Sequence, residues 1–364
     1  MKQVSNIFTK LIVNSFRILT IILAFAFNTI GYASDDYPNT EWMGGEADKG
    51  SDWYKECIRV KDDLPPKADL PSAKISSSLS ACMPTDLYYE AKRKLASNNA
   101  NWINVKDCAF TQDESAVLMM LYANGFGVSK NLNLAIRYAC KIGGAPAEVE
   151  MRIPHLASMS HDSEHRIFDL CDDITSGYMQ GFCTSFEERQ NTRERNSRLI
   201  KITEKWPQSQ KNAFGNLQNA LNNFAKHVSD DETDASGTGR AAFMIEAEAA
   251  EMELFVNDLA DYENGNTPRF TSKQFDEYDK TLNKLYKEIM QAKSMTEGSR
   301  LGYTTIAKVG VKNTQRAWLK YRDAWIDFGR IKYPSVDSQS WKALLTERRI
   351  KTLEYLLDVA KGGL

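Results

Sequence analysis

Apolar residues recur at steps of three and four along most of the chain, the period of helices that bury one face. Phe214, Leu217, Leu221, Phe224 and Val228 form one such stripe. Ile245, Met252, Phe255, Leu259 and Tyr262 form a second, with Glu248 in the vacant place of its heptad-like line. Phe275, Tyr278, Leu282, Leu285 and Ile289 form a third. Asn313–Phe328 carries a fourth of different make-up, in which Gln315, Trp318, Arg322 and Trp325 share one face. A guanidinium on a packed face must find acceptors or stay partly in water, so another helix is expected to supply oxygens. Asp279, aligned with Asn283 and Tyr286 beside the third stripe, and Glu248 are the candidates. Trp341, Leu344, Leu345, Leu353, Leu356 and Leu357 form the apolar face of a last helix, which Thr346 and Arg349 interrupt. Pro207 and Pro334 end helices; Ser209, Thr271 or Ser272, and Ser338 or Ser340 are expected to start them.

Upstream, Leu87, Tyr88, Ala91 and Leu95 fall on a helical period, and Ala116–Ala123 is a compact apolar helix. Gly125 and Gly127 flank Phe126 in a turn that needs permissive backbone, after which Leu134, Ala135 and Tyr138 form the inner face of a second helix. Such a hairpin needs stacked neighbours to bury its face. Farther on, Gly177 and Gly181, four apart, allow a close helix approach. The expectation is an all-α fold: an N-terminal disulfide-linked helical-hairpin repeat region followed by a helical bundle.

Composition divides the chain further. Lys2, Lys10 and Arg17 precede the apolar run ILTIILAFAF and small residues at Gly31-Tyr32-Ala33, the pattern of a secretory signal peptide over residues 1–33. Cleavage after Ala33 leaves 331 residues, enough for two domains, and shifts the net charge from −2 to −5. That weakly acidic balance excludes a general polyanion or nucleic-acid binder, and no membrane association is expected after cleavage. Residues 34–80, rich in Asp, Ser, Pro, Lys and Gly, read as an irregular lead-in whose Trp42 and Trp53 either dock onto the first domain or anchor loops. All six cysteines, Cys57, Cys82, Cys108, Cys140, Cys171 and Cys183, lie before residue 185, and an even count in an exported chain reads as three disulfides. Spacing favours Cys171–Cys183 and a local Cys108–Cys140 bridge, while leaving the other pairings open. Residues 186–240 read as linking helices and 241–364 as a second domain. From Asp230 to Glu263 eleven acidic residues face one basic residue; from Asn264 onward 19 basic residues face 11 acidic ones. Either neighbouring helices pair these charges internally, or the acidic helix, with Glu246, Glu251 and Glu253, docks a basic partner.

Candidate chemistry is sparse. His161 and His165, four apart and followed by Cys171, have metal-ligand spacing, but an exposed charged helix start explains SHDSEHR as well, so no metal or cofactor is expected. His227 is a helix-end histidine. The Gly-x-Gly at 125–127 follows a helix and lacks a third glycine, so it is no dinucleotide loop. Tyr122-Ala123-Asn124-Gly125-x-Gly127-Val128, with Ala135, Tyr138 and Lys141, resembles a Sel-one-like repeat within residues 81–185, a family of scaffolds for protein contacts.

A second resemblance covers about 241–360. Asp279-x-x-Leu282-Asn283-x-x-Tyr286, Gln315-Arg316-Ala317-Trp318, Tyr321-Arg322-Asp323-Ala324 and Thr346-x-x-Arg349-x-x-x-Leu353 are similar to the lysozyme inhibitor LprI-like N-terminal domain, an exported helical domain. Many members carry cysteines that this segment lacks, so its stability is expected to rest on packing. The resemblance implies an exported, periplasmic or secreted, non-enzymatic protein whose partner is a protein, a basic lysozyme or another cell-wall hydrolase. Asp279, Asn283, Tyr286, Gln315, Trp318, Tyr321, Arg322, Asp323, Thr346 and Arg349 are then a structural signature rather than a site. The alternative is an envelope scaffold that recruits a protein through the Sel-one-like hairpins.

Overall fold

The computed structural model describes residues 37–41, 47–95, 101–159, 166–295 and 298–363. The expected signal segment, Trp42, His161 and His165 lie outside the described residues. The chain divides into two compact units, one ending at Thr175 and one beginning at Ser176. Every regular element among the described residues is helical, with one isolated bridge between Arg300 and Ala307, and no described helix is long and apolar enough to cross a membrane.

The first unit contains α1 (Asp52–Arg59), α2 (Ala73–Ser78), α3 (Pro84–Arg93), α4 (Trp102–Thr111), α5 (Ser115–Asn124), α6 (Leu132–Ala139) and α7 (Pro146–Ser158). Residues Ala116–Ala123 of α5 are apolar on every side and all buried, so α5 is the central helix, in contact with α3, α4 and α6. The hairpin to α6 turns at Gly125 and Gly127, both at positive φ. A Cβ on Gly127 would sit 2.7 Å from the Trp102 carbonyl oxygen, and Phe126 stacks on the Trp102 ring at 4.3 Å. Asn131 caps α6, and Leu134, Ala135 and Tyr138 are buried. The side chain of Asn124 donates to the Phe168 carbonyl and accepts from the Phe168 amide, pinning the segment after α7 to this hairpin. Asp169 in that segment accepts from the Tyr89 hydroxyl at 2.7 Å and from Lys92 at 2.6 Å.

Two expectations for this unit need correction. The lead-in is not irregular: α1, a 3-10 turn at Lys67–Asp69 and α2 fold within it, and Trp53 and Cys57 are buried. The bridges are Cys57–Cys140 and Cys82–Cys108, not Cys108–Cys140. Cys108 and Cys140 sit on different helices of the stack, α4 and the end of α6. The Cys140 carbonyl accepts from the Asn39 amide at 2.8 Å, which places it against the N-terminal segment. Cys171 and Cys183 are also disulfide-bonded, and no described cysteine is free.

The second unit comprises α8 (Gly177–Thr203), α9 (Gln208–Asp231), α10 (Arg240–Glu263), α11 (Ser272–Gln291), α12 (Lys308–Lys332) and α13 (Ser338–Ala360). The stretch read as linking helices therefore packs within this unit: α8 lies along α10, and α9 lies between α10 and α12. The remaining neighbours are α12 with α13 and α13 with α11. Gly177 and Gly181 do permit close approach: a Cβ on Gly177 would overlap the backbone at Thr238, and one on Gly181 would lie 2.9 Å from Ala241 Cβ. The core gathers Phe214, Leu217, Leu221 and Phe224 of α9, Phe255, Leu259 and Tyr262 of α10, Trp318, Tyr321, Trp325 and Phe328 of α12, and Trp341, Leu345, Leu353 and Leu356 of α13. Trp325 stacks on Trp341 at 5.4 Å and meets Phe255 and Tyr262 edgewise or tilted. Thr271 closes a capping box with Gln274. Asp337, not a serine, caps α13, and α9 starts after Pro207 with no Ser209 cap.

Candidate functional site

The polar lock of the second unit differs from the expected one. Gln315, Trp318 and Trp325 are buried as the stripe requires, but Arg322 sits at its rim. Its guanidinium lies 5.2 Å from the Trp318 ring centroid and donates to the adjacent Asp323 at 3.0 Å. Neither Asp279 nor Glu248 is its partner. Asp279 instead accepts from Asn283, four residues on in α11, and Tyr286 packs half-buried against the core. A long side chain at a stripe edge can lay its stem on apolar surface and keep its head in water, so Arg322 needs no carboxylate from another helix.

Arg349 is the buried cation. It grips Glu232 through both terminal nitrogens, one contact being 2.6 Å, and its Nε donates to Gln315 Oε1 at 2.9 Å. The Arg349 and Glu232 side chains are each 1 % exposed. Two signature residues, Gln315 and Arg349, therefore meet, with a carboxylate supplied by the C-cap of α9. Beside them Arg348 forks onto Asp258 of α10, one contact being 2.7 Å. Tyr321 stacks on Phe224 at 5.4 Å, and burial holds its hydroxyl well above the usual phenol range. The Thr346 hydroxyl is buried with no hydrogen-bond partner among the described residues. These contacts make Gln315, Trp318, Tyr321, Thr346 and Arg349 parts of the core. A buried, hydrogen-bonded ion pair fixes register, and removing one partner leaves an uncompensated charge.

The three glutamates expected to form a docking face sit in different surroundings. Glu251 turns inward: burial pushes its carboxyl up to about 6, against the pull of Arg349 and Arg348 and with help from Glu232 and Asp258. Glu253 accepts two hydrogen bonds from Arg198 of α8, at 2.6 and 2.7 Å. Glu246 is exposed and lines a cleft of about 600 Å³ between α8 and α10. The cleft walls also carry Glu187, Glu188, Glu194, Glu253, Arg195 and Arg198, so carboxylates outnumber guanidiniums. Much of the acidic stretch is paired internally: Glu232 with Arg349, Asp258 with Arg348 and Glu263 with Lys332. Sequence reasoning missed Glu232, Asp258 and Arg348. The signal for the last lay in the Arg348-Arg349 pair breaking an apolar helix face.

Elsewhere, His155 contacts Asp173 at 2.8 Å and His227 contacts Asp231 at 2.6 Å. No group of three or more His, Cys, Asp or Glu side chains that could hold a metal occurs among the described residues. No curated protein and no solved structure matches the chain. Residues 261–353, which span the end of α10, α11, α12 and most of α13, match the family described as lysozyme inhibitor LprI.

Proposed function

We propose that this is an exported, non-enzymatic protein that binds and inhibits a lysozyme or a related cell-wall hydrolase. The observation that carries the reading is the match of residues 261–353 to the LprI family. Disulfide bonding of all six cysteines supports an oxidising compartment outside the cytosol, in keeping with the signal-like N-terminus. Lysozymes are typically basic, so the acidic α8/α10 cleft, with Glu187 and Glu246 exposed on it, steers such a partner by its field. The first unit is a protein-recruiting scaffold on this reading. Support comes from the tightly turned α5/α6 hairpin stacked among neighbouring helices and its Sel-one-like motif. The test is lysis of a cell-wall suspension by chicken-type lysozyme with and without the purified mature chain. Inhibition at micromolar protein is expected; full lysis across several lysozyme classes counts against the reading.

A further inference from the structure

Helix α12 buries one face in the core and turns the other outward. Val309, Lys312, Arg316, Leu319 and Lys320 are all exposed there, and steps of three and four hold them on one stripe. The three cations span about 12 Å of helix. Like charges four residues apart repel on a helix surface, and among the described residues none of these three has an ion-pair partner. The other cations of α12 are engaged. Arg322 pairs with Asp323, Arg330 with Asp327 and Lys332 with Glu263, while Lys308 donates to the carbonyls of Met290 and Ala292. The repulsion is thus relieved by no ion pair at one place, in the first half of a helix whose other cations are engaged.

Three further features say what such a surface fits. It is the solvent-facing stripe of one helix, and a helix face is a shape that lies in a groove. Val309 is 65 % and Leu319 37 % exposed, so aliphatic surface runs beside the charges. A phosphate or sulfate polyanion would leave that apolar area unused, whereas a protein groove would cover it. Finally, the ridge lies inside the matched segment 261–353, and Glu246, Glu251 and Glu253 lie outside it. We propose that the Lys312–Arg316–Lys320 ridge is the inhibitory contact and inserts into the carboxylate-lined substrate groove of the hydrolase. The proposal rests on the reading given under Proposed function. Glycoside hydrolases set two carboxylates across the bond they cleave, so their groove offers a concave, acidic surface of the right sign. Lysine and arginine ends entering it displace substrate and need no chemistry of their own.

The test uses the mature chain carrying Lys312→Gln, Arg316→Gln and Lys320→Gln together, with chicken-type lysozyme and a cell-wall suspension. All three positions are solvent-exposed and glutamine is a good helix former, so the melting temperature should be no lower than the parent's. Inhibition should weaken by 30-fold or more, whereas Glu187→Gln with Glu246→Gln should weaken it by threefold at most. Independently of any variant, lysozyme saturated with an N-acetylglucosamine trisaccharide should no longer bind the parent chain in calorimetry. Retention of inhibition within threefold by the triple variant, or undiminished binding to trisaccharide-filled lysozyme, overturns the ridge and leaves the inhibitor reading standing. A parent chain that inhibits no lysozyme removes the inhibitor reading first and the ridge with it.

Discussion

Replacing Arg349 by methionine tests the lock on which the second unit is built. The change keeps an unbranched side chain of helical propensity similar to arginine's but removes three donors. Glu232 would be left 1 % exposed with both oxygens stripped of their charged partner, and Gln315 Oε1 would lose its bond from Nε. Breaking a buried pair from one side costs about 3–5 kcal/mol. For a unit of this size each kcal/mol moves the midpoint by about 2–4 °C, so the melting temperature should fall by about 6–20 °C. Four of the seven tryptophans, Trp206, Trp318, Trp325 and Trp341, lie in this unit, so its thermal unfolding can be followed by tryptophan fluorescence. Adding Glu232→Gln removes the orphaned charge and should restore more than half of the loss. A single variant melting within 2 °C of the parent, or a double variant no better than the single, would refute a buried ion pair at this position.

Arg322→Ala should cost about 1 kcal/mol or less, because Arg322 keeps its head near water and loses only its stacking on Trp318 and a neighbour contact; a loss as large as that at Arg349 would return it to the core. Gly329→Ala should destabilise by about 1–3 kcal/mol despite alanine's better helix propensity, since the new Cβ would lie 2.5 Å from Trp341 Nε1, a rigid ring atom. Gly215→Ala, with nothing within 4 Å in the interior of α9, should instead stabilise by about 0.5–1 kcal/mol, and denaturant titration of the two variants compares them directly. Glu251 has its folded carboxyl at about 6, above its unfolded value of 4.5, so it contributes stability that is fully present below pH 4.5 and is lost as the pH rises through 6. That difference of about 1.5 pH units corresponds to about 2 kcal/mol; Glu251→Gln should abolish this part of the pH dependence and raise stability at pH 7, as read by urea midpoints between pH 4.5 and 7.5. Replacing Cys57 and Cys140 together by alanine removes the bridge that spans 83 residues and should cost the first unit about 4–5 kcal/mol by the chain-entropy estimate, seen as a lower thermal midpoint under non-reducing conditions.

The helices were legible because burial of one face imposes a period that the chain must obey. The stripe Phe214, Leu217, Leu221 and Phe224 is buried as read, and so are the apolar helix at Ala116–Ala123 and the inner face Leu134, Ala135 and Tyr138. The glycine turn and the close approach at Gly177 and Gly181 were legible because only a missing Cβ fits there. Charge partners were not legible. Arg322 and Arg349 both interrupt apolar stripes, and which one is buried depends on a helix crossing that brings Glu232 to one and leaves the other at the rim. The same holds for Glu246, Glu251 and Glu253, which point into a cleft, toward the arginine cluster and onto Arg198. A run of like charges along a sequence says nothing about azimuth once neighbouring helices pair off its members. Disulfide pairing failed for a related reason: closeness along the chain suggested Cys108–Cys140, whereas α1 packs on α6 and brings Cys57 to Cys140 from 83 residues away.

Binding to a cell-wall hydrolase is the activity proposed for this helical protein. Its most direct measurement is the rate at which chicken-type lysozyme clears a cell-wall suspension as a chain of residues 34–364 is titrated in. A dose-dependent fall to a small residual rate, with an apparent inhibition constant in the micromolar range or below, is the predicted result. An unchanged clearing rate at tens of micromolar protein, repeated with goose-type and invertebrate-type lysozymes, would contradict it.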